Sequence, residues 1–182
     1  MYSMIDILIE DARNFQKCGQ YDLAIDSLKK AQKINSQCES LIEVEKLLSF
    51  NYRKLGEYTL ALFHINKALN RLHTQNKKEE SREYAICLMN KGVIYEEMGK
   101  STQAIECYLP ALKILIGLYN SSPENFGIII NALLTVGFLY YDQQQYSMAK
   151  EFFEQAIPYF GSEKETDRRY VKIMELLKEI AS

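Results

Sequence analysis

Cysteine and histidine are the side chains of this chain that could act as nucleophiles or metal ligands. The sequence contains four cysteines and two histidines: Cys18, Cys38, Cys87, Cys107, His64 and His73. No two cysteines form a C-x-x-C pair, and the histidines are nine positions apart, which places them on opposite faces of a helix. We therefore predict no metal and no cofactor, and we interpret the cysteines as small, mostly buried hydrophobic residues in a reducing compartment.

Paired carboxyl groups are the other candidates for chemistry, since they could act as a general acid and base. The adjacent acidic residues Glu79-Glu80 and Glu96-Glu97 are interpreted as solvated helix surface. The sequence also lacks a G-x-S-x-G elbow, a glycine-rich phosphate loop and an H-E-x-x-H motif. We predict that the protein is not an enzyme.

The charge and the hydropathy of the chain argue against nucleic acid and the membrane interior as binding partners. The net charge of −2 argues against nucleic acid, because phosphate binding needs clustered Lys and Arg. No apolar run approaches the roughly 18–20 residues that span a bilayer, so no membrane insertion is predicted. The first residues lack the basic start and apolar stretch of a signal peptide, which predicts a cytoplasmic protein.

The elements that must position all these side chains are predicted to be helices. Apolar residues recur at helical spacing, as in Ala149, Phe152, Phe153, Ala156 and Phe160. With three prolines and eight glycines in the whole chain, long helices can run without interruption. No segment has the alternation of a strand, so the predicted fold class is all-α.

One pattern is written four times along the chain. A turn residue followed five positions later by alanine occurs at Gly19 and Ala24, and the three further copies are centred on Gly56–Ala61, Gly99–Ala104 and Gln144–Ala149. Each copy is predicted to be a helix–turn–helix pair, because a repeat of this kind buries its apolar face only by stacking. The predicted single domain, 1–182, has repeats at about 2–36, 40–74, 81–119 and 123–160, and a capping helix at 163–181.

These residues resemble the tetratricopeptide repeat, whose pattern is a large residue, Leu-Gly, Tyr, a turn Gly, Ala, an aromatic residue and Ala. The resemblance covers about residues 5–160 and implies a right-handed α-solenoid of four helix pairs. The patterned alanines step by 37, 43 and 45 residues, against about 34 for the standard repeat. Such long repeats resemble those of kinesin light chains and Rap-type peptide regulators, in which an Asn at the position of Asn90 faces bound peptide.

In this family the first helix of each pair lines a concave groove, which implies a set of partner-binding residues here. The predicted set is Arg13, Lys17, Lys46, Phe50, Arg53, Lys54, Met89, Asn90, Val93, Asn131, Leu134, Phe138 and Tyr141. The inward positions of the first two copies hold five basic and two acidic residues, whereas the last two copies hold none basic and three acidic. We therefore expect a ligand with an acidic end and an apolar segment. The carboxylate clamp of chaperone-binding members is absent, because its positions hold Ile9 and Arg13.

The resulting functional prediction is a non-enzymatic adaptor that binds a protein or peptide segment. Two alternatives stay open from the sequence. The chain could be a peptide-sensing regulatory domain of a Rap-like system, or it could be a scaffold that forms a homodimer through exposed apolar edges.

Overall fold

The computed structural model describes residues 3–34, 40–74, 81–119, 126–162 and 164–181. Within these residues the structure contains helices and no strand, which confirms the predicted all-α class. The helices are α1 Met4–Lys17, α2 Tyr21–Ile34, α3 Ser40–Lys54, α4 Tyr58–Thr74, α5 Arg82–Glu97, α6 Ser101–Tyr119, α7 Phe126–Asp142, α8 Tyr146–Ala156 and α9 Arg168–Ala181. Short 3-10 turns at Ile157–Tyr159 and Lys164–Thr166 lie between the last two helices.

The helices stack as four pairs followed by one more helix. The closest packing is within the pairs α1/α2, α3/α4, α5/α6 and α7/α8, and each second helix also packs on the first helix of the next pair. Helix α9 packs on α8. The predicted α-solenoid with a C-terminal capping helix is therefore confirmed.

Each pair is joined by the same tight turn. Gly19, Gly56 and Gly99 have φ values of 71°, 78° and 70°, in the left-handed region that favours glycine. In each turn the amide of the residue after this position donates to the carbonyl five residues back, for example Lys100 N to Tyr95 O at 2.8 Å. The fourth turn keeps this geometry with a non-glycine residue, Gln144, at φ 60°.

Small residues sit where the helices of a pair cross. The patterned alanines Ala24, Ala61, Ala104 and Ala149 are fully buried. A Cβ on Gly92 would lie 2.7 Å from Cε1 of Tyr108, and a Cβ on Gly137 would lie 2.5 Å from Cε1 of Phe153. Glycine is therefore required at these two crossings, because the neighbouring ring occupies the space of a side chain.

The apolar core runs along the stack in two clusters that meet at α5. Cys87 and Ile94 of α5 belong to the cluster of the first two pairs, and Ala85 belongs to the cluster that continues to α9. Cys87 and Cys107 are buried as predicted, and burial raises the pKa of the Cys87 thiol to about 12. Cys18 is exposed, contrary to that interpretation, because it ends α1 at the turn; Cys38 lies outside the described residues.

Candidate functional site

The candidate site is the exposed side of the first helices α1, α3, α5 and α7, which we call the first-helix face. All thirteen residues predicted from the sequence lie on these helices. Helix α1 contacts α3, and α3 contacts α5, so their exposed side chains form one surface across pairs. In the part of the chain that the structure describes, no three His, Cys, Asp or Glu side chains are grouped to hold a metal ion, and no helix is long and apolar enough to cross a membrane.

Two of the predicted basic residues bind one carboxylate. Glu43 of α3 accepts a hydrogen bond from Lys46 Nζ at 2.7 Å and one from Arg13 Nη2 of α1 at 3.3 Å. Arg13 also lies 3.6 Å from Glu10. Burial alone would raise the pKa of Glu43, but the two cations hold it below its ordinary value. Arg13 and Lys46 are thus largely neutralised within the protein and join α1 to α3.

A third basic residue, Arg53, forms an ion pair with Glu97 of α5. From the sequence, Arg53 counted among the basic residues of the first two copies and Glu97 among the acidic residues of the last two. The structure brings the two side chains together and links α3 to α5. The side chain of Arg53 is mostly buried in this contact. Because Glu97 compensates its charge, Arg53 adds less positive charge to the first-helix face than the sequence suggested.

Phe50 is the centre of a cationic aromatic cluster on α3. Its ring is 37% exposed and has Arg53 Cζ at 5.3 Å and Lys54 Nζ at 5.7 Å from its centroid. The edge of Tyr21, at the start of α2, approaches the same ring at a centroid distance of 6.4 Å. Lys17 donates to Asn14 Oδ1 at 3.3 Å, and neither Lys17 nor Lys54 forms an ion pair with any described residue.

Apolar side chains of α5 and α7 make up the middle of the face. Met89, Val93 and Phe138 are half-buried and pack on the core, with Phe138 edge-on to Phe153 at 5.2 Å. Asn90 is exposed, and its side chain forms no hydrogen bond with another described residue. Leu134 is only 4% exposed, so the prediction that it contributes to binding is wrong: it belongs to the core.

The last two predicted residues are in contact with α9. Arg169 Nη1 donates to Asn131 Oδ1 at 2.6 Å, and Tyr141 Oη donates to Glu179 Oε1 at 2.9 Å. This hydrogen bond raises the pKa of Tyr141. Both contacts join residues 38 positions apart, so α9 runs beside α7 in the same direction, as the first helix of a further pair would. Sequence analysis missed Arg169 and Glu179, because α9 carries none of the patterned small residues.

The comparison with protein families gives a match to the Tetratricopeptide repeat at residues 12–38, 85–114 and 130–157. The matched ranges include residues of pairs one, three and four and omit pair two, where Glu45 and Ser49 stand at the positions of Leu88 and Gly92 in pair three. Polar residues at these two core positions are a physical reason why pair two departs from the family pattern.

One curated relative is the uncharacterized protein ycf37 of Guillardia theta, which is 33% identical over 112 residues. The alignment covers 57% of this chain and 58% of that protein, so the chain spans less than two thirds of the relative.

Solved structures with the same fold include two of the types predicted from repeat length. The putative kinesin light chain repeats of Podosopora anserina superpose with a TM-score of 0.72 at 18% identity, covering 100% of this chain and 96% of that one. Apo RapI superposes with a TM-score of 0.80 at 20% identity, covering 100% of this chain and 50% of that one. A tetratricopeptide repeat protein of Parabacteroides merdae gives 0.70 at 23% identity, covering 98% and 60%. These likenesses confirm the predicted fold.

Proposed function

Because the chain is a tetratricopeptide-repeat protein, a fold that generally mediates protein–protein interactions, we propose that it is a non-enzymatic module that holds a segment of a partner protein on its first-helix face. The observation that carries the proposal is the apolar middle of this face. Met89, Val93 and Phe138 are partly exposed there beside Asn90, whose amide is available for a partner's backbone.

The connections between neighbouring first helices support this location. Side-chain bonds join α1 to α3 through Arg13, α3 to α5 through Arg53, and α7 to α9 through Tyr141. Within the described residues, no side-chain hydrogen bond or ion pair joins α5 to α7. Met89, Asn90 and Val93 on α5 are therefore left uncovered by internal polar contacts, and an apolar strip flanked by polar groups is the usual anatomy of a protein interface.

The energetics favour a short partner segment over a large flat interface. A few partly exposed apolar side chains can supply anchors of about 1–2 kcal/mol each, and the surrounding polar residues exclude water and set orientation. An extended or helical segment fits such a strip, because either form presents side chains at a regular spacing.

A peptide selection tests the proposal. Random 12-residue peptides displayed on phage are selected on the purified chain, and the affinities of recovered peptides are measured by fluorescence anisotropy. Asn90→Arg should weaken binding at least tenfold, because the new side chain covers the strip between α5 and α7. Gln103→Arg, an exposed change on α6, is the matched control and should leave affinity unchanged.

Two results would contradict the proposal. The first is the recovery of no binding peptide, and the second is an equal affinity of recovered peptides for the Asn90→Arg and Gln103→Arg variants. Light scattering of the purified chain at micromolar concentration distinguishes a monomer from the homodimer of the alternative hypothesis. A dimer that dissociates on the Asn90→Arg change would mean that a second copy of the chain occupies the first-helix face.

A further inference from the structure

We propose that the partner segment carries an acidic side chain, and that Lys17 and Lys54 bind its carboxylate beside the ring of Phe50. This inference rests on the proposed function and names the chemistry of the ligand. The sequence predicted an acidic end from five basic residues taken together. The structure separates these five into two groups with different roles.

Three of the five basic residues already have carboxylate partners. Arg13 and Lys46 bind Glu43, and Arg53 binds Glu97. A ligand that used these cations would have to displace an internal ion pair and leave a partly buried carboxylate without a partner, which is unfavourable. Of these five residues, only Lys17 and Lys54 form no ion pair with a described residue.

The two lysines occupy equivalent places in the stack. Lys17 is the last residue of α1 and Lys54 is the last residue of α3, two helices in contact with each other. Both lysines are exposed. Two ammonium groups at the same end of adjacent helices can donate to the two oxygens of one carboxylate or to neighbouring carboxylates.

Phe50 adds an apolar surface at this position. Its exposed ring has the Lys54 ammonium at 5.7 Å from its centroid and contacts the Tyr21 ring at a centroid distance of 6.4 Å. An aliphatic or aromatic ligand residue next to the acidic one can pack on Phe50 while the carboxylate meets the lysines. The site therefore selects an acidic residue that has an apolar neighbour, and not a diffuse negative charge.

The opposite end of the same two helices disfavours such a ligand. The charged residues that line an open cleft of about 580 Å³ there are four acidic ones, Asp6, Glu10, Asp11 and Glu43, and one basic one, Arg13, which is paired with Glu43. At the lysine end of the face, the last turns of α5 and α7 hold Glu97 and Asp142 and no basic residue. The field over the face therefore directs a carboxylate to Lys17 and Lys54.

Lysine in the last turn of a helix also compensates the helix dipole, and this role alone would need no ligand. The two roles make different predictions. A dipole role changes the midpoint of thermal unfolding and leaves ligand choice unaltered. A carboxylate-binding role changes which peptides are selected.

The test uses the phage library of random 12-residue peptides on the wild-type chain and on a double variant, Lys17→Glu with Lys54→Glu. Wild type should enrich Asp or Glu next to a large apolar residue. The double variant should lose at least tenfold affinity for those peptides and should enrich Lys or Arg instead. Lys113→Glu, an exposed reversal on α6, is the matched control and should select the same peptides as wild type.

The double variant Lys17→Met with Lys54→Met keeps the test valid if charge reversal disturbs folding. It should retain the helical circular dichroism of wild type and lose the acidic preference. Peptides that depend on Asn90 but show no acidic enrichment would overturn this inference and leave the proposed function intact. If no recovered peptide depends on Asn90, both proposals fail.

Discussion

His64 Nδ1 lies 2.6 Å from Oε2 of Glu45, and these two polar residues occupy two positions that are apolar in another repeat. Glu45 stands eleven residues before its turn residue, where pair four has Leu133, and His64 stands three residues after its patterned alanine, where pair four has Phe152. The stacking partner is also equivalent: Tyr52 stacks on His64 at 5.3 Å, and Tyr140 stacks on Phe152 at 5.5 Å. In the second helix pair, a buried hydrogen-bonded Glu and His therefore take the place of the Leu and Phe found in the fourth helix pair.

The buried carboxylate of Glu45 is well satisfied. It is 1% exposed and also binds Gln32 Nε2 of α2 at 3.0 Å and Lys67 Nζ at 3.3 Å. These contacts connect pair one to pair two through one side chain. A buried ion pair contributes little net stability compared with apolar residues of similar shape, but the removal of one partner is costly.

We therefore predict strong coupling between two substitutions that copy pair four into pair two. Either single substitution should lower the free energy of unfolding by about 1–3 kcal/mol. Glu45→Leu leaves the buried His64 Nδ1 without its partner, and His64→Phe leaves the buried Glu45 carboxylate with Gln32 and Lys67 alone. The double variant should lie within about 1 kcal/mol of wild type, because Leu133 and Phe152 hold the equivalent positions in the apolar core of pair four. Urea unfolding of the four proteins of this double-mutant cycle gives the coupling energy, and additive losses would contradict the prediction.

The same network predicts how stability depends on pH. Burial alone would raise the pKa of Glu45, but the His64 hydrogen bond and Lys67 together hold it below its ordinary value of 4.5. The folded protein therefore binds this proton less readily than the unfolded chain, so the contribution is present above about pH 4.5 and is lost as the pH falls through the lowered pKa. The thermal midpoint should fall less between pH 6 and pH 3, two values chosen to bracket these pKa values, in the Glu45→Leu/His64→Phe variant than in wild type. An equal fall would show that other carboxylates, such as Glu43, carry the acid sensitivity.

The helices and their turns could be predicted from the sequence because small residues recur at fixed offsets from each turn. The placement of the thirteen predicted binding residues on the first helices followed from the same offsets. The ion pair between Arg53 and Glu97 could not be predicted, because it depends on how far α5 is rotated and shifted against α3. Leu134 was misassigned for a related reason. It lies at the boundary between core and surface, where the tilt of α7 determines whether the side chain is buried or exposed.

Gln144 offers a direct test of the turn. Its φ of 60° is costly for a residue with a side chain, whereas the other three turns use glycine. Gln144→Gly should raise the free energy of unfolding by about 0.5–1 kcal/mol, or the thermal midpoint by about 1–4 °C. The matched control is Gln145→Gly, where φ is −87° and glycine brings only added freedom to the unfolded chain. A gain from Gln145→Gly, or none from Gln144→Gly, would contradict this account of the turn.

The crossing point within each pair shows a relation between two positions across the four repeats. Pairs three and four combine glycine with a buried ring, Gly92 with Tyr108 and Gly137 with Phe153. Pair one has Ala12 with Leu28 at the same positions, and pair two has Ser49 with Ile65; all four of these residues are buried. Where the first crossing position has a Cβ, the second therefore has an aliphatic residue. An aromatic ring at the second position would need the space that the Cβ takes.

This relation predicts the effect of substituting Gly137. Gly137→Ala should lower the free energy of unfolding by about 1–3 kcal/mol, since the new Cβ would lie 2.5 Å from Cε1 of the buried Phe153. Gly127→Ala, in the same helix with no atom within 4 Å of the added Cβ, should cause no loss. Adding Phe153→Leu to Gly137→Ala should restore part of the stability, because it recreates the combination of Ala12 and Leu28. Thermal and urea unfolding measure all of these effects, and a double variant that is less stable than Gly137→Ala alone would refute the space argument.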